Sequence, residues 1–325
     1  MTLTEILAEL ERYLDDDAPQ LSLPPAAFTS PELWEAEADL VLARSWLLAA
    51  HTDQLAEPGA SVTLAPAGRP LTVTRGPDGA LRARSALGPH RPTPAVEEWR
   101  GLVFLNPDGT AEPLAPHLRR TGEELTAYRL PEMTQVASWT EEWRCNWKVA
   151  VQNAHENYHA MGLHPTTVAL ITPPGGAMEV RTETRWVTRL LSPFREPLAA
   201  TALPLDADQR ATMYNCAVFP CGSLAAFGDS VVWITMIPLA VDRVEVRGGV
   251  LMHPAALAGL DRAALDEQFA EVAAGAEVVN REDREGMEAV QRVAGSRFAA
   301  RGHLSPKEPG VTAFYRALAR ALTAS

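Results

Sequence analysis

Three histidines and a glutamate crowd into ten consecutive positions, His155-Glu156-Asn157-Tyr158-His159-Ala160-Met161-Gly162-Leu163-His164. Packing alone does not account for that density. Imidazole is the commonest metal ligand among side chains. A chain carrying such a cluster is expected to fold so that rings converge on an ion, with a further donor brought from elsewhere in the sequence. Which histidines converge, and on which metal, sets the chemistry.

Composition narrows the classes of function. The chain has 325 residues, 46% of them hydrophobic and 22% charged, with a formal net charge of −12. That length holds two domains or one large one, with a core of good size. The negative charge argues against nucleic acid or an anionic membrane as the main partner. Cys145, Cys216 and Cys221 are the only cysteines, too sparse for a disulfide framework. The N-terminus, Met1-Thr2-Leu3-Thr4-Glu5-Ile6, has an early acid and no apolar core segment, unlike a signal peptide. The longest apolar stretch, Val231 to Val241, has 11 residues and is interrupted by Thr235 and Pro238, too short for a bilayer. A cytoplasmic location is expected.

The texture of the chain divides it. Residues 4–15 suit a short amphipathic helix, ended by Asp15-Asp16-Asp17 and prolines. Ser30 and Pro31 suit the N-cap and first turn of a second helix reaching about Ser45. From Ser61 to about Asn106 short β-branched runs alternate with turns, of which Gly76-Pro77-Asp78-Gly79 is the clearest. The histidine cluster is expected on a helix that stops near Gly162 and Pro165. From Met178 to His253, runs such as Val231-Val232-Trp233-Ile234 predict an antiparallel sheet of several strands. Leu260 to about Phe298 predicts one long helix whose stripe is Val279, Asp283, Met287 and Val290. A carboxylate on an apolar stripe is costly to bury unless paired or bound to a metal, which singles out Asp283. The expected division is a helical segment at 1–45, a small β domain at 46–115 and an α+β catalytic domain at 116–325.

The cluster can be read in two ways. His155-Glu156-x-x-His159 fits the zinc-peptidase motif, in which two histidines one turn apart hold zinc and the glutamate is the base. Extending that motif requires a histidine at position 165, which is Pro165. The other reading pairs His159 with His164. These lie about 140° apart on an unbroken helix, and a helix end between them would bring them together. Adding Asp283 gives two histidines and one carboxylate, the facial set that leaves positions on Fe(II) open for dioxygen and substrate.

A wider set of residues supports the iron reading. Asn146-Trp147-Lys148, Gln152-Asn153-x-x-Glu156-x-Tyr158-His159-x-x-x-x-His164-Pro165 and Glu282-Asp283-x-x-x-x-Glu288-x-Val290-Gln291-Arg292 resemble the catalytic domain of Rieske-type ring-hydroxylating oxygenase α subunits. The resemblance covers about residues 28 to 323. It implies a helix-grip catalytic domain, a trimer (homomeric or mixed) and iron on His159, His164 and Asp283. It also implies that Glu156, the candidate catalytic residue, links an iron ligand to the cluster of a neighbouring subunit. The plainer role for Glu156 is to orient His159.

The departure from the family is equally informative. The family's N-terminal domain holds a [2Fe–2S] cluster on Cys-x-His and Cys-x-x-His pairs. Here the first pair aligns with Gly88-Pro89-His90-Arg91, leaving His90 as a relic, and no cysteine precedes Cys145. The expectation is a reduced Rieske-like β domain without a cluster. Electrons would come from a separate Rieske or ferredoxin-type protein. Fe(II) would be the cofactor, and O2 and a small organic molecule the substrates, for a hydroxylation or demethylation. A catalytically silent subunit regulating a complete oxygenase is the alternative. Gln152, Asn153, Met161, Phe219, Ser223 and Trp233 are the candidate substrate-pocket residues. His155 is expected at the surface, and Cys216 and Cys221 in the core or the pocket and not at a metal site.

Overall fold

The β-branched runs between Thr134 and Met252 form a single antiparallel sheet of seven strands. In chain order they follow six shorter strands nearer the N-terminus: β1 (Leu47–His51), β2 (Ser61–Leu64), β3 (Leu71–Arg75), β4 (Leu81–Ser85), β5 (Ala95–Trp99) and β6 (Leu102–Asn106). The large sheet comprises β7 (Thr134–Trp143), β8 (Glu179–Thr182), β9 (Val187–Pro193), β10 (Thr212–Val218), β11 (Gly222–Phe227), β12 (Ser230–Ala240) and β13 (Arg243–Met252), ordered β7-β13-β12-β11-β10-β9-β8. The short strands make two three-stranded sheets, β1-β6-β5 and β2-β3-β4. This computed structural model describes residues 1–15, 17–86, 88, 92–173, 178–182 and 184–323.

Register sorts the two faces of the large sheet. Ser223 pairs with Ile234, and Met236 with Val246, which in turn pairs with Glu141. Directly opposed residues point the same way, so these side chains share one face. Glu141 on that face accepts a 2.6 Å bond from Arg284, so the long helix covers it. Leu224, Trp233 and Gly249 are opposed on the other face. That face meets the N-terminal sheets, where Arg247 donates to the Thr63 carbonyl at 3.1 Å. Gly248 makes room within the sheet for the ring of Trp139, the residue opposite it on β7. A Cβ there would sit 2.5 Å from the Trp139 ring and 2.6 Å from the Trp233 carbonyl.

Helices α1 (Leu3–Glu11), α2 (Pro31–Glu37), α3 (Arg119–Glu124) and α4 (Trp147–Asn153) precede the histidine cluster. Ser30 caps α2 as expected, its hydroxyl accepting from Leu33 N at 3.2 Å. The N-terminal helix is shorter than expected, tightening to 3₁₀ geometry at Arg12–Leu14. Further on lie α5 (Ala160–Leu163), α6 (Val168–Ile171), α7 (Ala207–Ala211), α8 (Pro254–Leu257), α9 (Arg262–Ala294) and α10 (Pro309–Thr323). Among the described residues, no helix is long and apolar enough to cross a membrane.

The long helix forms where it was expected, but its inward stripe does not run on to Val290, which is 49% exposed. Its last turns are anchored through polar side chains instead. Glu288 accepts the Arg144 backbone N–H at 3.0 Å, and Gln291 accepts that of Asn146 at 2.9 Å.

The segment Asn146-Trp147-Lys148 ties three layers together. Asn146 caps α4 by accepting from Lys148 N at 3.1 Å. Lys148 and Glu37 are both buried and pair at 2.6 Å, and Trp147 Nε1 donates to the other Glu37 oxygen at 2.8 Å. Burial pushes the Lys148 pKa down, while the Glu37 carboxylate pulls it up. Removing one partner strands the other charge in the interior. Glu37→Ala should therefore cost about 3–5 kcal/mol of unfolding free energy in urea denaturation. The paired change Glu37→Met with Lys148→Met should cost much less; equal losses would contradict the assignment.

Candidate metal centre

The expected single helix through the histidine cluster does not form. α4 ends at Asn153 because the His155 ring takes the carbonyl that another helical turn would use. His155 Nδ1 bonds Val151 O at 2.7 Å, and His155 N turns to Gln152 O at 2.9 Å. His155 is buried, not at the surface as expected, and packs on Phe314 with ring centroids 5.3 Å apart. Burial holds its pKa down to about 4.

Beyond this break, His159 stands at the N-cap of α5 and His164 at its C-cap. The helix end between them brings their rings to 5.4 Å at 72°. Asp283 arrives from α9. Its Oδ1 lies 3.0 Å from His164 Nε2 and 3.8 Å from His159 Nε2. Asn153 Nδ2 donates to the same oxygen at 2.8 Å. Gly286 lets α5 approach, since a Cβ there would lie 2.8 Å from Leu163 Cδ1.

The outer ring nitrogens are also occupied. His159 Nδ1 meets Glu156 Oε1 at 2.5 Å, and His164 Nδ1 meets Glu282 Oε2 at 2.8 Å. Carboxylates at Nδ1 fix the tautomer that leaves Nε2 as the donor atom, the arrangement found around ligating histidines. Thr167 Oγ1 steadies Glu282 at 3.3 Å. Burial lowers the His164 pKa, but its bonds to Asp283 and Glu282 outweigh this and leave it raised, so the pocket favours positive charge. Ligand atoms of His159, His164 and Asp283 all lie within 4.8 Å of one another. Two imidazole nitrogens and one carboxylate suit Fe(II) with open positions.

Geometry rules out the zinc-peptidase arrangement, because His155 faces Val151 and Phe314 while Glu156 is engaged by His159. Glu282 is a functional candidate that the sequence reading missed. Its signal was a second carboxylate beside Asp283 on the same helix.

The expected pocket residues scatter. Asn153 is at the centre, and Gln152 Oε1 accepts from Tyr315 OH at 2.9 Å. Ser223 is buried on the helix-covered face of the sheet. Met161 is 42% exposed, and Phe219 packs against Trp186 and Phe314. Trp233 does not belong to this side. Its register places it on the opposite face, where Nε1 donates to Gln135 at 3.1 Å. Cys145, Cys216 and Cys221 are all buried. His90, with Pro89 and Arg91, lies outside the described residues.

The family model for the ring hydroxylating alpha subunit (catalytic domain) matches residues 130–324. The chain belongs to the ring-hydroxylating oxygenase α-subunit family. It is 26% identical over 195 residues to the carnitine monooxygenase oxygenase subunit of Acinetobacter pittii (strain PHEA-2), covering 44% of this chain and 53% of that protein. The protein of the same name from Escherichia coli (strain K12) is 25% identical, covering 44% and 52%. The match thus spans about half the length of these curated relatives. Two solved structures share the fold. A quaternary ammonium Rieske monooxygenase in complex with gamma-butyrobetaine has a TM-score of 0.75 at 20% identity, covering 96% of this chain and 98% of that one. Naphthalene 1,2-dioxygenase from Rhodococcus sp. bound to indole has a TM-score of 0.76 at 17% identity, covering 100% of both. Among ring-hydroxylating α subunits, oxidoreductases as a family, this chain has a mixed fold of helices and antiparallel sheet.

The buried His155 gives a pH signature. Its folded pKa lies below the unfolded value of 6.5, so the unfolded state binds more protons between about pH 6.5 and 4. Stability is full above that window and falls as pH drops through it, by about 3 kcal/mol from this group. The difference between wild type and His155→Gln, followed by urea unfolding against pH, should carry this slope; parallel profiles would contradict it.

Proposed function

We propose that the chain is the oxygenase component of a mononuclear non-haem iron system. The observation that carries this reading is the pairing of both Nδ1 atoms with carboxylates, which leaves both Nε2 atoms beside Asp283. His159, His164 and Asp283 would hold Fe(II). When bound, the ion supplies O2 activation at its open positions.

The chain's own groups would prepare the site. Glu156 and Glu282 hold their rings in one tautomer, and Asn153 keeps Asp283 from rotating. Asp283 and Glu282 supply negative charge that favours a cation over an empty site. Gln152 and Ser223 would border the substrate space, with Met161 at its rim.

The chain would work without a [2Fe–2S] cluster of its own, since all its cysteines lie at or beyond Cys145. Electrons would then come from a partner bearing such a cluster, with Glu156 as the contact on the His159 side. The working division is a helical segment at 1–45, a Rieske-like β domain at 46–115 and the catalytic domain at 116–325, assembled as a trimer in the cytoplasm. The substrate would be a small organic molecule. Quaternary ammonium compounds are the first class to test, given the carnitine monooxygenase subunits among the relatives. A silent regulatory subunit is favoured only by the missing cluster ligands, and the complete triad weighs against it.

Asp283→Ala should abolish Fe(II) binding and O2-dependent turnover together. Glu156→Gln should keep much of the iron yet lose donor-driven turnover by about ten-fold or more. Iron content and oxygen consumption with a ferredoxin-type donor measure both. Full iron retention in Asp283→Ala would overturn the assignment.

A further inference from the structure

Away from the metal centre, a groove of about 550 Å3 opens where five separate segments meet, one of them carrying Phe219. Arg44 comes from the stretch before β1, and Glu112 from the loop after β6. Arg185 and Trp186 come from the β8–β9 turn, and Arg320 from α10. None of His159, His164 or Asp283 lines it. Clefts between packed units are the usual place for small-molecule sites.

The groove's charge runs against that of the chain. Three guanidinium groups face it with one carboxylate among them, in a protein whose formal net charge is −12. Glu112 is shared between Arg185 at 3.0 Å and His117 at 3.2 Å. Among the described residues, Arg44 and Arg320 have no ion-pair or hydrogen-bond partner for their side chains.

A second observation points to the same kind of ligand. Trp186 is only 9% exposed, and its Nε1–H is buried without an acceptor. A buried indole donor normally finds a partner. Arg185 already stacks on the Trp186 ring at 5.1 Å, and Phe219 lies 6.1 Å from it. With Ala317 and Ala321, these rings give the groove an apolar floor beneath a cationic rim.

We propose that this groove is a second binding site, separate from the metal centre, for a small organic anion with an apolar body, of the aromatic carboxylate class. The carboxylate would meet Arg44 and Arg320 and take the free Trp186 N–H. The ring would lie against Phe219 and the alanines of α10.

Calorimetric titration of the full chain with benzoate tests this, with benzyl alcohol and inorganic phosphate as the uncharged and non-apolar controls. Benzoate should bind saturably and more weakly as salt rises, while both controls bind much more weakly. The double variant Arg44→Ala, Arg320→Ala should lose about ten-fold or more in affinity. Because both side chains are exposed and unpartnered, its melting temperature should stay unchanged. Trp186→Phe keeps an aromatic ring but removes the N–H, and should weaken binding. Asp283→Ala should leave it intact. No saturable benzoate binding, equal binding of phosphate, indifference to the arginine pair, or loss in Asp283→Ala would each overturn the proposal.

Discussion

The site depends on two carboxylates that would touch no metal. Glu156 and Glu282 each take the outer nitrogen of a histidine, and so decide which nitrogen faces inward. A neutral imidazole has one donor and one acceptor nitrogen, and an unconstrained ring exchanges them. Here both rings are held with Nε2 toward Asp283 Oδ1. Three negative carboxylates around two imidazoles would repel one another unless a cation sat among them. The raised pKa of His164 is the same requirement met by a proton.

Everything larger serves to bring these groups together. His159 and Glu156 are local to one turn, but Asp283 and Glu282 come from a helix more than a hundred residues later in the chain. That helix is fixed on the sheet through Arg284 and Glu141, and its far end is pinned by Glu288 and Gln291 to the backbone that starts α4. The same α4 start is anchored to the N-terminal region by the buried Glu37–Lys148 pair. The start of α4 is thus held from two sides, by the N-terminal region and by the long helix.

Much of this was legible in the sequence, in particular ways. β-branched runs and turn residues announced the antiparallel sheet, Ser30-Pro31 announced a helix start, and an acid on the apolar stripe of α9 drew attention to Asp283. The histidine pair at i and i+5 made sense only if a helix ended between them, and it does. What escaped was set by tertiary choices. The break after Asn153 follows from the His155 ring taking the Val151 carbonyl, which no propensity encodes. Trp233 fell on the far side of the sheet because a strand's facing depends on register. Glu282 was hidden because only the rotation of α9 shows which of two neighbouring acids meets which nitrogen of His164.

A histidine–carboxylate triad stands here in a sequence whose cysteines all lie at or beyond Cys145, and the proposed iron centre without a cluster rests on that pairing. The most direct measurement is the metal and acid-labile sulfide content of the protein purified without oxygen. The account predicts about one iron per chain, with no labile sulfide. Iron accompanied by sulfide would contradict the cluster-free reading. Zinc in place of iron, or a site that takes up no Fe(II) at all, would contradict the oxygenase reading itself.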